Sequence, residues 1–335
     1  MSPVSFQQFV TGELDMRQQP LDRRHWLKAA AGSLAGTCLA SQCVQAIDFS
    51  KPVPEAEKLT GYLNGSQVLI RWNNRLLTGY RAHASLKYPY FNPLAGPASG
   101  LSVTAESALP YPHHRGLWLG CDPVNGGNYW SDGPLTQGQI KSTKLELAAA
   151  TKESAQFMNH CDWVRSNAPS PLKDERLFTV RVLGDHAWVI DADIKLLAQE
   201  DVTIKKAKHS LFAMRAASDI SPSYGGILMN SEGGVGAKGT YGKPARWCGY
   251  HGKRAAQPKV VEGIAIMEHP ENPWGPCPWF TREYGHLSPS PFNFLKEPWV
   301  FEKGATLRMQ YRVVIHAGTP AEAGLDTIYQ QWIKG

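Results

Sequence analysis

The chain has 335 residues, of which 42% are apolar, 10% aromatic and 19% charged, enough to bury a full core and to exclude disordered, collagenous and coiled-coil classes. Its 31 glycines and 24 prolines argue for many turns rather than long helices. Lys and Arg exceed Asp and Glu by 35 to 29, but the excess is scattered without a basic block or recognition motif, so a net charge of +6 marks no nucleic-acid partner.

Residues 1–46 read as a twin-arginine export signal. Arg23-Arg24 and Lys28 precede a weakly apolar stretch from Ala29 to Ala40, and Val44-Gln45-Ala46 forms a small-residue cleavage site. The expected mature chain, 47–335, is then periplasmic, secreted, or anchored by an uncleaved signal. No other stretch reaches the roughly 18 apolar residues of a membrane span. Cys38 and Cys43 leave with the signal, whereas Cys121, Cys161, Cys248 and Cys277 are spaced like buried free thiols rather than a disulfide framework or a zinc site.

After the signal, hydrophobic alternation with period two dominates. Short runs at Val68 to Trp72 and Leu117 to Leu119 read as strands. Phe178, Val180 and Val182 lead through Gly184-Asp185 into Trp188, Ile190, Ala192, Ile194 and Leu196, which predicts a hairpin. Leu211 to Arg215, Ile264 to Met267 and Leu307 to Ile315 continue the pattern. Thr319-Pro320-Ala321-Glu322 is a capping box that predicts a short C-terminal helix carrying Leu325, Ile328 and Trp332 on one face. With no linker and no internal repeat, 47–335 reads as one all-β domain, a large antiparallel two-sheet sandwich.

Three polar clusters are candidates for chemistry. The first, Tyr111-Pro112-His113-His114-Arg115-Gly116-Leu117-Trp118, is followed by Asp122, Asn125, Asn128 and Trp130 and puts titratable groups at a strand end. The second joins Asn230-Ser231-Glu232-Gly233-Gly234 to Arg246-Trp247; its glycines precede no Lys-Ser/Thr pair, so no phosphate loop is expected. The third comprises Glu268-His269-Pro270, Trp274, Trp279, Arg282, Tyr284 and His286. Aromatic faces beside carboxylates, imidazoles and guanidinium groups suit carbohydrate, since sugar C–H faces pack on rings while hydroxyls take charged partners.

The stretches PHHRGLWLGCDPVNGGNYW, NSEGGVG, GKPARWCGYHG and GIAIMEHPENPWGPCPWFTREYGHLSPSPF resemble the PmoA-like family, often labelled "methane oxygenase PmoA". Pro110-Tyr111 stand where that family usually has an Asp before the Pro-His-His element. The resemblance implies an aldose-epimerase-like supersandwich with a sugar cleft over one sheet. The label's methane oxygenase is a multi-span membrane protein, which this sequence does not match.

The leading expectation is a periplasmic carbohydrate-active enzyme, a hydrolase, lyase or epimerase on a glycoside or oxidised sugar. Glu232 or Glu268 is the base, His113 or His286 the acid, and Arg115 and Arg246 hold substrate oxygens, with His114 in the same hollow. Asn125, Trp130, Trp247, Trp274 and Arg282 complete the expected substrate contacts. One alternative is a metal-dependent oxidoreductase, with a divalent metal on His113, His114, His269 and His286 beside Glu268. Another is a non-catalytic sugar-binding protein.

Overall fold

The computed structural model describes residues 59–335; the export signal read at 1–46 lies outside them. Alternation is cleanest where one sheet face is wet. Along Ser154–Val164 every second residue is buried. Leu172–Val182 and Ala187–Ala198 form the expected hairpin, pairing from Leu172 opposite Ala198 to Val182 opposite Trp188, with Gly184 at positive φ in the turn.

Two antiparallel sheets of eight strands each make the molecule. The first runs in the order Leu59–Asn64, Gln67–Trp72, Arg75–Arg81, Tyr90–Leu94, Leu117–Asp122, His209–Arg215, His286–Pro289 and Trp279–Thr281. The second runs Ile227–Asn230, Trp247–Arg254, Gln257–Glu268, Thr306–Ala317, Ala187–Ala198, Leu172–Val182, Ser154–Val164 and Gln139–Ala150. A small pair, Val202–Ile204 with Trp299–Phe301, stands beside them. Early and late segments of the chain alternate between the sheets, so no cut in the sequence would divide them into separate domains.

The core lies between the sheets. Phe212 of the first stacks on Tyr311 of the second at 4.8 Å, and Tyr80 and Phe91 meet Phe157 and Phe178 at 4.8 to 5.8 Å. A second apolar layer covers the outer side of the second sheet, where Val189, Ala265, Met267 and Val314 pack on Leu325, Ile328 and Tyr329. Those last three lie on the helix Leu325–Trp332. The capping box forms, Thr319 N–H donating to Glu322 Oε2 at 2.8 Å and Glu322 N–H to Thr319 Oγ1 at 3.3 Å. It closes only one turn, because Gly324 at φ +67° breaks the spiral before the helix proper starts.

Cys121, Cys161, Cys248 and Cys277 are buried and unpaired. Among the described residues, no helix is long and apolar enough to cross a membrane.

Candidate active site on the outer face of the first sheet

Strand register brings the site together. Directly opposed residues of an antiparallel pair point to the same side. In the first sheet Trp118 is opposite Tyr90 and Ala213, Asp122 opposite His209, and Arg215 opposite His286. Their intervening neighbours Leu117, Leu119, Phe212 and Leu287 belong to the core between the sheets. The partners of Trp118 therefore project from the opposite, outer face. Gly116, at φ +61°, turns the His113-His114-Arg115 segment into this strand; a Cβ there would collide with the Phe91 carbonyl oxygen.

The floor is a stack of rings. His114 lies over His286 at 4.6 Å and against Trp118 at 5.5 Å; Trp118 meets Trp130 edge-on at 5.1 Å, and Trp130 stacks on His209 at 5.6 Å. His113 stands perpendicular to His114 at 4.6 Å and lies 6.3 Å from His209. Tyr111 and Tyr284 flank His114, and the Arg215 guanidinium sits 4.5 Å over the Tyr284 ring. His114, His286, Trp118 and Trp130 are buried, while His113, His209 and Asp122 keep 16, 27 and 24% of their side chains in solvent.

Hydrogen bonds set opposite tautomers at two histidines. Arg215 Nη1 lies 3.3 Å from His114 Nδ1, and a guanidinium can only donate, so Nδ1 accepts and the proton of His114 sits on Nε2. Ser131 donates to Asp122 Oδ2 at 3.2 Å, leaving its oxygen to accept from His209 Nδ1 at 3.5 Å. Asp122 Oδ2 lies 3.8 Å from the same Nδ1. His209 is thus held with a bare Nε2, a base, and His114 with a protonated Nε2, a donor.

Burial, helped by His113 and Arg215, pushes His114 down to about 2. Burial also holds His286 well below its ordinary range, with His114 adding to the effect. His113 is lowered by burial and partly restored by Asp132, whose Oδ2 lies 3.5 Å from its Nδ1. At neutral pH His114 and His286 are uncharged.

Of the residues predicted from sequence, the fold gathers His113, His114, His286 and Trp130 here. Arg115 and Arg282 flank them: Arg115 lies 5.9 Å over Tyr90, and Arg282 4.1 Å over Phe280, whose ring is 5.6 Å from His286.

The others lie elsewhere, and the expected hollow shared by His114, Arg246 and Glu268 does not form. Glu268 has the parity of Ile264 and Ile266 and points into the space between the sheets, where its Oε2 accepts the Cys277 N–H at 2.6 Å. Glu232 is exposed and, with Asp326, pairs Arg246 at 3.5 and 3.4 Å near the C-terminal helix. Trp247 is in the second apolar layer and donates to Asp326 at 2.9 Å. Trp274 packs on Phe292 and Trp299 at 5.1 and 5.4 Å. Asn125 spends its amide on Glu200, the Asp201 carbonyl and the Thr203 N–H, tying a loop to a strand.

His269 packs on Trp332 at 5.2 Å, on the C-terminal helix rather than with the other three candidate metal ligands. Among the described residues no three His, Cys, Asp or Glu side chains converge as metal ligands. His114 stacks on His286 and meets His113 edge-on instead.

Sequence reasoning missed His209, Arg215, Lys87 and Asp132. The first two had a legible signal: Arg215 ends the strand predicted at Leu211 to Arg215, and His209, which the structure adds to its start, is six residues earlier and so shares its face in regular alternation.

Fold and site define an all-β sandwich with a histidine-rich, aromatic-walled polar cluster on the outside of one sheet. The chain belongs to a family of unknown function, DUF6807, which matches residues 67–330. No curated protein matches it. Solved structures similar to it include a galactose mutarotase related enzyme from Lactobacillus acidophilus, at 9% identity and TM-score 0.29, covering 78% of this chain and 98% of that one. An aldose epimerase homologue from C. elegans is similar at 9% identity and TM-score 0.27, covering 78% and 99%. A polysaccharide lyase is similar at 9% and 0.31, covering 78% of this chain, which spans 33% of the lyase.

Proposed function

We propose that the protein is a carbohydrate-active enzyme of the proton-transfer kind, an epimerase or lyase, working at His209 and His114. The carrying observation is the pair of imidazoles with opposite tautomers, one oriented by Asp122 and Ser131 and the other by Arg215, beside two tryptophans packed edge to face. The exposed Tyr111 and half-buried Tyr284 rings beside His114 receive the sugar's C–H side. His209 Nε2 takes a proton from the substrate, and Asp122 stabilises the imidazolium that results. His114 Nε2–H donates a hydrogen bond to the oxygen on which negative charge develops. Held uncharged near neutral pH, it acts as a fixed neutral donor and loses no proton. Return of the proton from His209 completes the cycle; if a protonated His113 beside Asp132 delivers it instead, His209 releases its proton to solvent and His113 regains one from there.

Glycoside hydrolysis by two free carboxylates fits less well, because Asp122 and Asp132 are each engaged with a histidine. The export signal read at 1–46 supports a periplasmic, secreted or signal-anchored setting for this chemistry.

The test is proton exchange. Aldoses, ketoses and uronic acids incubated with protein in heavy water are followed by NMR for deuterium entering carbon positions and for anomer interconversion. Wild type should catalyse one or the other, and His209→Gln should lose about 100-fold or more while melting normally. A folded His209→Gln with the wild-type rate, or a wild type inert across the whole panel, would sink the assignment.

A further inference from the structure

Four arginines of the described chain are buried, and three have carboxylate partners. Arg176 is clamped by Asp174, Arg254 by Asp219 and Glu262, and Arg312 by Asp191. Arg215 is the exception. Besides the Tyr284 ring beneath it, its one side-chain hydrogen-bond partner is the neutral His114 ring, and its Nε has no acceptor. Leaving a buried guanidinium without an anion is costly, as is a buried donor without a partner.

The exception is not isolated. Buried side-chain nitrogens without partners also include Lys87 Nζ, Trp118 Nε1, Trp130 Nε1 and His286 Nδ1. Lys87, whose ammonium is lowered by burial and raised in part by Asp122 and Asp132, belongs to the same rim. Lysine, arginine and indole nitrogens can only donate, and His114 adds its Nε2–H. The carboxylates of the site are already engaged, Asp122 by His209 and Ser131 and Asp132 by His113. A surface whose unpaired buried nitrogens lack an anion suits a ligand that brings oxygen lone pairs and negative charge.

We infer that the substrate of this site is an acidic sugar whose oxyanion docks on Arg215, with the neighbouring His286 and His114 as further donors. Arg215 and His286 are directly opposed across their strand pair, and His286 and His114 stack, so the three form one compact donor set. The inference rests on the proposed sugar reading and narrows it.

Matched ligand pairs test this: glucuronate against glucose, galacturonate against galactose, and glucose 6-phosphate as the ester source of an oxyanion. Each is titrated by calorimetry into wild type, Arg215→Lys and Arg215→Gln, with inorganic sulfate as a non-sugar control read by thermal shift. The expected result is at least about tenfold tighter binding of the acid than of its neutral twin, an advantage that Arg215→Gln removes and Arg215→Lys keeps in part. If Arg215→Gln does not fold, the wild-type acid-to-neutral ratio, its weakening by added salt and the Lys variant carry the test. Preference for the phosphate ester over both uronates supports the oxyanion and identifies its source. Equal binding of acid and neutral twins overturns the inference and leaves the sugar reading standing. Stabilisation by sulfate with no sugar bound supports an anion site and overturns the sugar reading. No binding of any probe overturns both.

Discussion

Replacing Glu268 with Gln should make the protein more stable, most of all at alkaline pH. The carboxyl points between the two sheets and accepts one backbone N–H, from Cys277. Burial pushes it up to about 7 from an ordinary value of 4.5. Between those two values the unfolded chain has released a proton that the folded chain still holds. Stability therefore falls as pH rises through that window, by about 1.4 kcal/mol per unit, and the whole penalty of roughly 3 kcal/mol is present above it. Gln keeps an oxygen for the Cys277 N–H and never ionises. Urea unfolding of both proteins at pH values from 4 to 8.5 gives the difference directly, and contributions common to both, including those of the histidines, cancel. The difference should be near zero at pH 4 and climb to a plateau of about 2 to 3 kcal/mol in favour of Gln. A flat difference, or a less stable variant at pH 8, would refute the reasoning. Turnover should survive, since Glu268 belongs to the second sheet and faces the space between the sheets, whereas the site lies on the outer face of the first.

Acid should unfold the protein through its histidines. His114 is held down at about 2, His286 well below the ordinary range and His316 at about 4, so below pH 6.5 the unfolded chain takes up protons that the folded chain refuses. Their stability is complete above pH 6.5 and lost on acidification; His286→Asn should reduce the slope of unfolding free energy by up to about 1.4 kcal/mol per unit between pH 6 and 4.5. Asp174→Ala strips the acceptor from the buried Arg176 guanidinium and the Trp163 indole N–H, bonded to it at 2.7 and 2.7 Å. Denaturant melts should show a loss of about 3 to 5 kcal/mol, and a loss under about 1 kcal/mol would contradict the burial argument.

The sandwich was legible because most strands of the second sheet are half wet. Along Leu172–Val182 the alternation survives folding, with Leu172, Asp174, Arg176, Phe178 and Val180 buried and Lys173, Glu175, Leu177 and Arg181 at least partly exposed, although Thr179 is buried too and Val182 only half-buried. Leu117–Asp122 was harder to read: one side faces the core and the other is roofed by the site, so nearly every residue is buried and alternation disappears. The contiguous His113-His114-Arg115 run was conspicuous in sequence, whereas His209 and Arg215 are single residues whose importance comes from lying opposite Asp122 and His286. Glu268 shows how proximity in sequence misleads. Its neighbours His269 and Trp274 made it look functional, but its even spacing from Ile264 and Ile266 put it on the core side, a signal available without coordinates.

The strands bearing the site are joined by a long detour. Between Asp122 and His209 the chain lays down four consecutive strands, Gln139 to Ala198, paired in sequence order within the second sheet, and it returns to the second sheet again before reaching His286. Such a meander can zip up from local contacts, but the union of Trp118, Arg215 and His286 must wait for the closure of two large loops. A nascent or partly refolded molecule would then show substantial β structure while still lacking any means of holding its ligand, and recovery of binding should lag behind recovery of the far-ultraviolet signal.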